Sequence, residues 1–284
     1  MSEQTLYIVA TPIGNLDDIT PRALEVLAKV DVIAAEDTRH SQKLLSHFNI
    51  RTPLVPVHDH NERQQAEGIV QRLAEGKSVA LISDAGTPLI SDPGYHLVRE
   101  VRQAGFRVSP LPGPCAVVTA LCAAGLPTDR FVFEGFLPAK AQARIQTLQF
   151  LSKEPRTVVF YESPHRILAT LEAMVEVLGS ERQLVMAREI TKTFETFLQG
   201  TLPEVLDLVR NDPNQQKGEI VLMLQGAPAA AGDDLDAAAE QTMRTLMDVL
   251  PISQAAATAA KLTGLNRKVL YQWALSQQSI DGSA

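Results

Sequence analysis

The chain has 284 residues, enough for about two domains, and its 45% hydrophobic and 21% charged side chains exclude a largely disordered polypeptide. A formal charge of −7 does not advertise a nucleic-acid binder, although what holds phosphate is a local basic surface and not the net charge. No apolar run approaches the ~20 residues of a membrane helix, no basic segment precedes the first apolar stretch as in a secretory signal, and two cysteines, Cys115 and Cys122, exclude a disulfide framework, so a cytoplasmic protein with no membrane partner is expected.

The first apolar run, Leu6 to Ala10, reads as a buried strand and is followed by the turn-rich TPIGN. A helix is expected from Pro21 to Val30, with Thr20 placed to cap it and proline in its first turn. Val32 to Ala35 predicts a second strand leading into a polar helix through Leu44 and Leu45. Strands at Val79–Ile82 and Val108–Leu111 flank a helix from Tyr95 to Ala104. Strand and helix in alternation indicate a mainly parallel α/β sheet. The segment PLPGPCAVVT is a Pro/Gly hinge entering an apolar helix, and marks the end of an N-terminal α/β domain, 1–113.

A second α/β domain, 114–226, has strands at Phe131–Phe133, Thr157–Tyr161, Gln183–Ala187 and Ile220–Leu224, with helices at 141–152 and 165–178. Its looser rhythm suggests a mixed sheet. At Ala227 the small, flexible APAAAGDD begins a third segment, 227–284, with helices near 234–249, 253–262 and 266–277. Gly264 interrupts the helical pattern and a basic helix restarts at Asn266, which predicts a helix-turn-helix or a packed three-helix cap.

The common catalytic signatures are missing: no GxxxxGK[ST], no GxGxxG after a strand, no HExxH or zinc spacing, no GxSxG. No metal is expected. What remains is loop chemistry at strand ends, where open α/β sheets bind their ligands. TPIGN, SDAGTPLISDPG (Ser83 to Gly94) and PGPCA (Pro112 to Ala116) are the candidate loops. The middle one is dense in turn formers, as expected of backbone amides arranged around a ligand. Two polar clusters also follow strands, AAEDTRHS and the pair FYESPHR and AREITKTFE.

In these segments, taken in order, the sequence resembles the tetrapyrrole methylase superfamily, and within it the branch that methylates ribosomal RNA. The resemblance runs from LYIVATPIGNLDDITPRAL to REITKTFE and covers nearly the whole chain. It implies two α/β domains with S-adenosylmethionine between them, a homodimer, and 2′-O-methylation of a cytidine in small-subunit (16S) rRNA near the decoding centre, in the assembled 30S subunit. Residue by residue, it assigns cofactor contacts to Pro12 and Ile13, to Asp84, Gly86 and Thr87, to Cys115 and Ala116, and to Tyr161 and Ala187. The small-molecule branch has a glycine-rich first loop where this chain has TPIGN.

Attack by a ribose hydroxyl on a sulfonium methyl needs alignment above all, helped by a base or by a field on the developing alkoxide. Glu36, Asp37, Glu162 and Glu189 are the candidate bases, and Arg39, Arg188 and Lys192 the candidate electrostatic partners. RNA contact is expected from Arg22, Arg39, Lys43, Arg166, Arg267 and Lys268. Methylation of a small tetrapyrrole-like compound, and a non-catalytic role in ribosome assembly, are the competing readings.

Overall fold

The computed structural model describes residues 4–58, 61–228, 235 and 237–281, so most of the linker expected at 227–234 lies outside the described residues. The chain forms two compact units, Met1–Gln225 and Gly226–Ala284.

In the first unit a parallel sheet comes first. Its strands are β1 (Thr5–Val9), β2 (Val32–Ala35), β3 (Leu54–Pro56), β4 (Val79–Ile82) and β5 (Arg107–Leu111), in the order β3-β2-β4-β1-β5. Every pairing is parallel, so the carboxyl ends of all five strands lie along one edge of the sheet. The crossovers are helices α1 (Pro21–Lys29), α2 (Thr38–His47), α3 (Glu62–Ala74) and α4 (Tyr95–Gln103). The expected cap of α1 is present: Thr20 Oγ1 accepts from the Ala23 N–H at 3.1 Å. Strands buried on both faces explain the unbroken apolar runs of β1 and β4. Alternate residues of β1 enter two cores, Tyr7 and Val9 on one side, Leu6 and Ile8 on the other.

Helix α5 (Ala116–Ala123) leads to a second sheet of β6 (Phe131–Phe136), β7 (Thr157–Glu162), β8 (Gln183–Arg188), β9 (Thr196–Thr201) and β10 (Ile220–Leu224), in the order β6-β7-β10-β8-β9. Only β6 and β7 are parallel; the other pairs are antiparallel, which makes the sheet mixed as expected. Helices α6 (Ala141–Leu151), α7 (Ile167–Leu178) and α8 (Leu202–Asn211) cover one face, where Leu148, Phe160, Leu171, Leu206 and Leu222 form the core. The other face packs Val159, Val185 and Val221 against Val117 and Leu121 of α5 and against Ile13 of the first sheet's opening loop.

Among the α-helices and strands, β3, α3, β9 and α8 have no counterpart in the sequence expectations. Helix α8 did carry a signal: Thr201 and Glu204 form a capping box, with proline in the first turn.

The second unit is formed by α9 (Ala237–Met247), α10 (Ile252–Thr263) and α11 (Arg267–Asp281) around a core of Met243, Ala255, Ala256, Ala259, Leu270 and Ala274. Small residues on α10 let its neighbours approach closely. The α10–α11 turn is the one expected at Gly264, whose φ of +74° is the left-handed geometry favoured by glycine after a helix. Asn266 Oδ1 accepts from the Lys268 N–H at 2.8 Å and starts α11. Arg244 lies over the Trp273 ring at 5.3 Å and fastens α9 to α11. Among the described residues, no helix is long and apolar enough to cross a membrane.

Candidate functional site

Strand order brings the loops together. Because β2, β4, β1 and β5 are neighbours, the residues following them converge at the carboxyl edge: Glu36, then Ser83 to Gly94, then TPIGN, then the hinge. Backbone bonds tie these loops to one another. Thr11 N–H donates to Gly86 O and Gly86 N–H to Thr11 O, both at 2.9 Å. Thr11 Oγ1 donates to Ser83 O at 3.1 Å, and Thr87 Oγ1 to Pro114 O at 2.8 Å. Glycine is favoured at Gly86, with φ of +79° and the Ile13 methyl 3.3 Å from where a Cβ would stand. Leu89 and Ser91 in the same loop also have positive φ, +73° and +68°, a strained conformation for side-chain-bearing residues.

These loops and the second sheet enclose a cavity of about 320 Å³. Its apolar walls include Ile13, Ile90, Ala116, Tyr161, Ile220 and Val221. Five carboxylates also line it, Glu36, Asp84, Asp92, Glu162 and Glu219, and among the described residues no lysine, arginine or histidine does. Tyr161 meets Phe133 and Phe136 edge-on, with ring centroids 5.0 and 5.6 Å apart. Burial pushes its phenol far above the ordinary value, reinforced by the nearby Cys115 and Asp92, so the hydroxyl stays neutral. Asp84 Oδ1 accepts from the Asp37 backbone N–H at 3.1 Å, which fixes its carboxylate at the cavity wall.

Of the nine expected cofactor residues, six line this cavity: Ile13, Asp84, Gly86, Thr87, Ala116 and Tyr161. Pro12 lies on a neighbouring cavity of about 400 Å³. Cys115 is half-buried at the N-cap of α5, packed with the apolar face of the second sheet. Ala187 is fully buried in β8, beneath the lining.

The candidate bases separate by their partners. Asp37 is the N-cap of α2: its Oδ1 accepts from the backbone N–H groups of Arg39 and His40, which hold the carboxyl below its ordinary value. A carboxylate so engaged is a poor base, and it lines neither cavity. Glu162 borders the first cavity, but its buried carboxylate is committed to Ser163 N–H, Thr170 Oγ1 and the Arg166 guanidinium. It anchors the start of α7. Glu189, at φ of +51°, accepts from Lys192 Nζ at 2.8 Å and from the Glu219 backbone N–H at 2.9 Å. Burial alone would raise its carboxyl; those two donors outweigh burial and lower it. Glu36 borders the first cavity.

Among the cationic candidates, Arg188 is only 7% exposed and is spent on structure. Its guanidinium donates to Gln215 Oε1, Lys217 O, Phe194 O and Thr196 Oγ1, clamping the segments around β8 and β9. Arg39 is exposed on α2 and lines neither cavity. Lys192 lines the second cavity and bridges Glu189 and Glu219 at 2.8 and 3.1 Å. Burial works against its charge, but the two carboxylates overcome this and raise its pKa.

Glu219 is the functional candidate absent from the sequence reading. It borders both cavities, and its carboxylate meets Lys192 at their shared wall. Of the expected RNA contacts, Arg22, Lys43, Arg267 and Lys268 are exposed, whereas Arg166 is turned inward onto Leu137 O and Glu162.

Comparison with known proteins identifies the family of the chain. The family model "Tetrapyrrole (Corrin/Porphyrin) Methylases" matches residues 5–206, and the model "RsmI C-terminal HTH domain" matches residues 233–278. A protein of Escherichia coli O157:H7 called ribosomal RNA small subunit methyltransferase I is 56% identical over 277 residues, covering 98% of this chain and 96% of its own. Its namesake in Pseudomonas aeruginosa is 55% identical, covering 98% and 99%. Uroporphyrin-III C-methyl transferase from Thermus thermophilus, solved with S-adenosyl homocysteine, superimposes with a TM-score of 0.53 at 15% identity, over 78% of this chain and 97% of that one, a likeness of fold. By its matched domains and its full-length relatives, the chain belongs to the tetrapyrrole methylase family and, within it, to the ribosomal RNA small subunit methyltransferase I group.

Proposed function

We propose that the protein transfers the methyl group of S-adenosylmethionine to the 2′ oxygen of a cytidine ribose in small-subunit rRNA. The observation that carries the cofactor assignment is the lining of the first cavity: apolar walls beside Glu36, Asp84 and Asp92, with Glu162 and Glu219 already ion-paired to Arg166 and Lys192, suit a ligand bearing both a sulfonium and an ammonium. Ile13, Ala116 and Tyr161 would line the adenine slot. Asp84 would accept from ligand hydroxyls or the ammonium, and the backbone of the Gly86–Thr87 turn would donate to a carboxylate.

When bound, S-adenosylmethionine supplies a methyl group already activated by its sulfonium, so the protein's task is alignment and charge. The ribose oxygen gains a bond to carbon, the carbon–sulfur bond breaks with its electron pair going to sulfur, and the hydroxyl proton must leave. We assign these last needs to Glu219, which borders both cavities, and to Lys192, which lines the second and pairs with Glu219. The Lys192 ammonium stabilises negative charge developing on the ribose oxygen. Glu219 takes the proton, and its largely exposed carboxylate can pass it to water. Glu189 positions Lys192 from behind.

The second unit carries Arg267 and Lys268 exposed at the start of α11, the helix that follows the turn, and we assign them to RNA phosphates. The resemblance supports the assembled small subunit as substrate, a homodimer as working form, and the cytoplasm as location.

The test is mass spectrometry of nucleosides from small-subunit rRNA of cells lacking the protein, with purified protein and labelled S-adenosylmethionine added back to their 30S subunits. One 2′-O-methylcytidine should vanish in the first sample and return, labelled, in the second. An unchanged nucleoside profile, or label on a base carbon, overturns the reaction.

A further inference from the structure

The second cavity has a chemistry of its own. Its volume, about 400 Å³, falls in the range of small-molecule sites. It abuts the first, sharing Ile13, Asp84, Ala85 and Glu219 with it. Its charge differs: His40, Lys43 and His47 of α2 all line it, at i, i+3 and i+7, the spacing of one helical face. Leu16 and Leu44 add apolar surface beside them. The carboxylates are those of the shared wall, Asp84 and Glu219.

Ser41 supplies an independent observation. It lines this cavity, is 2% exposed, and its Oγ has no hydrogen-bond partner among the described residues. A buried hydroxyl left unpaired is costly, and such groups in folded proteins ordinarily find a partner. Here a ligand in the cavity would provide one.

We propose that this cavity is the receptor for a single nucleotide of the substrate, with its phosphate among His40, Lys43, His47 and the Ser41 hydroxyl, and its ribose against the Asp84–Glu219 wall. The inference rests on the first cavity being the methyl-donor site, and adds the residues that hold the target nucleotide and its orientation. His40, Lys43, His47 and the Ser41 hydroxyl sit at the α2 end, and at the shared wall the Asp84 and Glu219 carboxylates stand with Lys192, whose ammonium is already paired to Glu189 and Glu219. A nucleotide presents the complementary order, an anionic phosphate at one end and ribose O–H donors at the other. The orientation delivers a ribose hydroxyl to Lys192 and Glu219. A nucleotide so placed must leave its stack, as in enzymes that act on a single extruded residue.

The experiment titrates the full-length protein, saturated with S-adenosyl homocysteine, with cytidine 3′,5′-bisphosphate and with cytidine, followed by NMR of the histidine ring protons. The bisphosphate should bind without displacing S-adenosyl homocysteine, and at least about tenfold more tightly than cytidine. Ser41→Ala and Lys43→Met should each weaken it about fivefold while S-adenosyl homocysteine affinity stays within twofold. Because Ser41 Oγ has no hydrogen-bond partner among the described residues, its removal should leave the thermal midpoint in place. The proposal is overturned if millimolar bisphosphate does not bind, if both variants bind like the parent, or if the bisphosphate competes with S-adenosyl homocysteine. If S-adenosyl homocysteine itself does not bind, the donor-site reading fails, and the same titration on the protein alone still decides the second cavity.

Discussion

Lys192 Nζ lies 2.8 Å from Glu189 Oε1 and 3.1 Å from Glu219 Oε2, so one ammonium is held between a carboxylate behind it and a carboxylate at the cavity wall. The approach is close on every side: a Cβ on Gly14 would collide with the Lys192 stem, and one on Gly218 with the Glu189 carboxylate. Lys192→Met should therefore lower the single-turnover methyl-transfer rate about 10²-fold, the usual cost of losing one oriented charge donor at a reacting oxygen. Affinity for S-adenosylmethionine should stay within twofold. Glu189→Gln should act through Lys192, with a smaller rate loss and a downward shift of the alkaline limb of the rate profile. If Lys192→Met matches the parent in rate, the assignment fails.

The pH dependence of that arrangement follows from its signs. Glu189 sits below its ordinary value, so its contribution is present above about pH 4.5 and is lost as pH falls through the lowered folded value. Lys192 sits above 10.5, so its contribution is complete below that pH and is lost as pH rises through the raised folded value. The pair should thus cause no inflection in methyl-transfer rate between about pH 6 and 9. An inflection in that window that disappears in Lys192→Met would show that the ammonium titrates there after all.

Much of this site was legible before any coordinates, and for a definite reason. The strands β1, β2 and β4 are buried along their whole length and read as apolar runs, the edge strand β5 is marked by the hinge that follows it, and in a parallel sheet the residues just after the strands must share an edge. That is how Ile13, Glu36, Asp84 and Ala116 could be grouped across 104 positions of chain. Glu219 was invisible by the same logic. It precedes β10, within a polar turn, and reaches the site only because β10 inserts between β7 and β8 with antiparallel pairing. Arg188 shows the opposite failure. In sequence it adjoins Glu189 and Lys192, yet the chain turns to positive φ at Glu189 and Arg188 is left facing the β9 side, among carbonyl oxygens.

Arg188 accordingly gives a stability prediction. Arg188→Met removes four hydrogen bonds at a site 7% exposed and strands their acceptors, which should cost about 2–4 kcal/mol by denaturant titration. Below the unfolding range, methyl-transfer rate per folded molecule should match the parent. A rate loss of about 10²-fold with unchanged stability would return Arg188 to the chemistry.

Gly86→Ala tests the tied loops. Its φ of +79° is strained for alanine by about 1–2 kcal/mol, and the new methyl would press on Ile13, one wall of the slot. Calorimetry should show weaker S-adenosylmethionine binding by tenfold or more, together with the stability loss. Gly76→Ala, also at positive φ (+87°) but with open space around its Cβ position, controls for backbone strain alone. Equal effects of the two variants on cofactor affinity would remove the loop from the binding site.

The second unit is tested by reversing charge where it is exposed. Arg267→Glu and Lys268→Glu stand outside the core formed by Met243, Ala259, Leu270 and Ala274, so the helices should stay folded, as the Trp273 fluorescence beside Arg244 can report. If each residue neutralises one RNA phosphate, the double variant should bind 30S subunits at least about tenfold more weakly. The slope of log affinity against log salt should shrink by about two. S-adenosylmethionine affinity should not move, because the described residues that border the first cavity all belong to the first unit. A parent-like salt slope in the double variant would instead make α11 a packing helix and leave RNA recognition to the first unit.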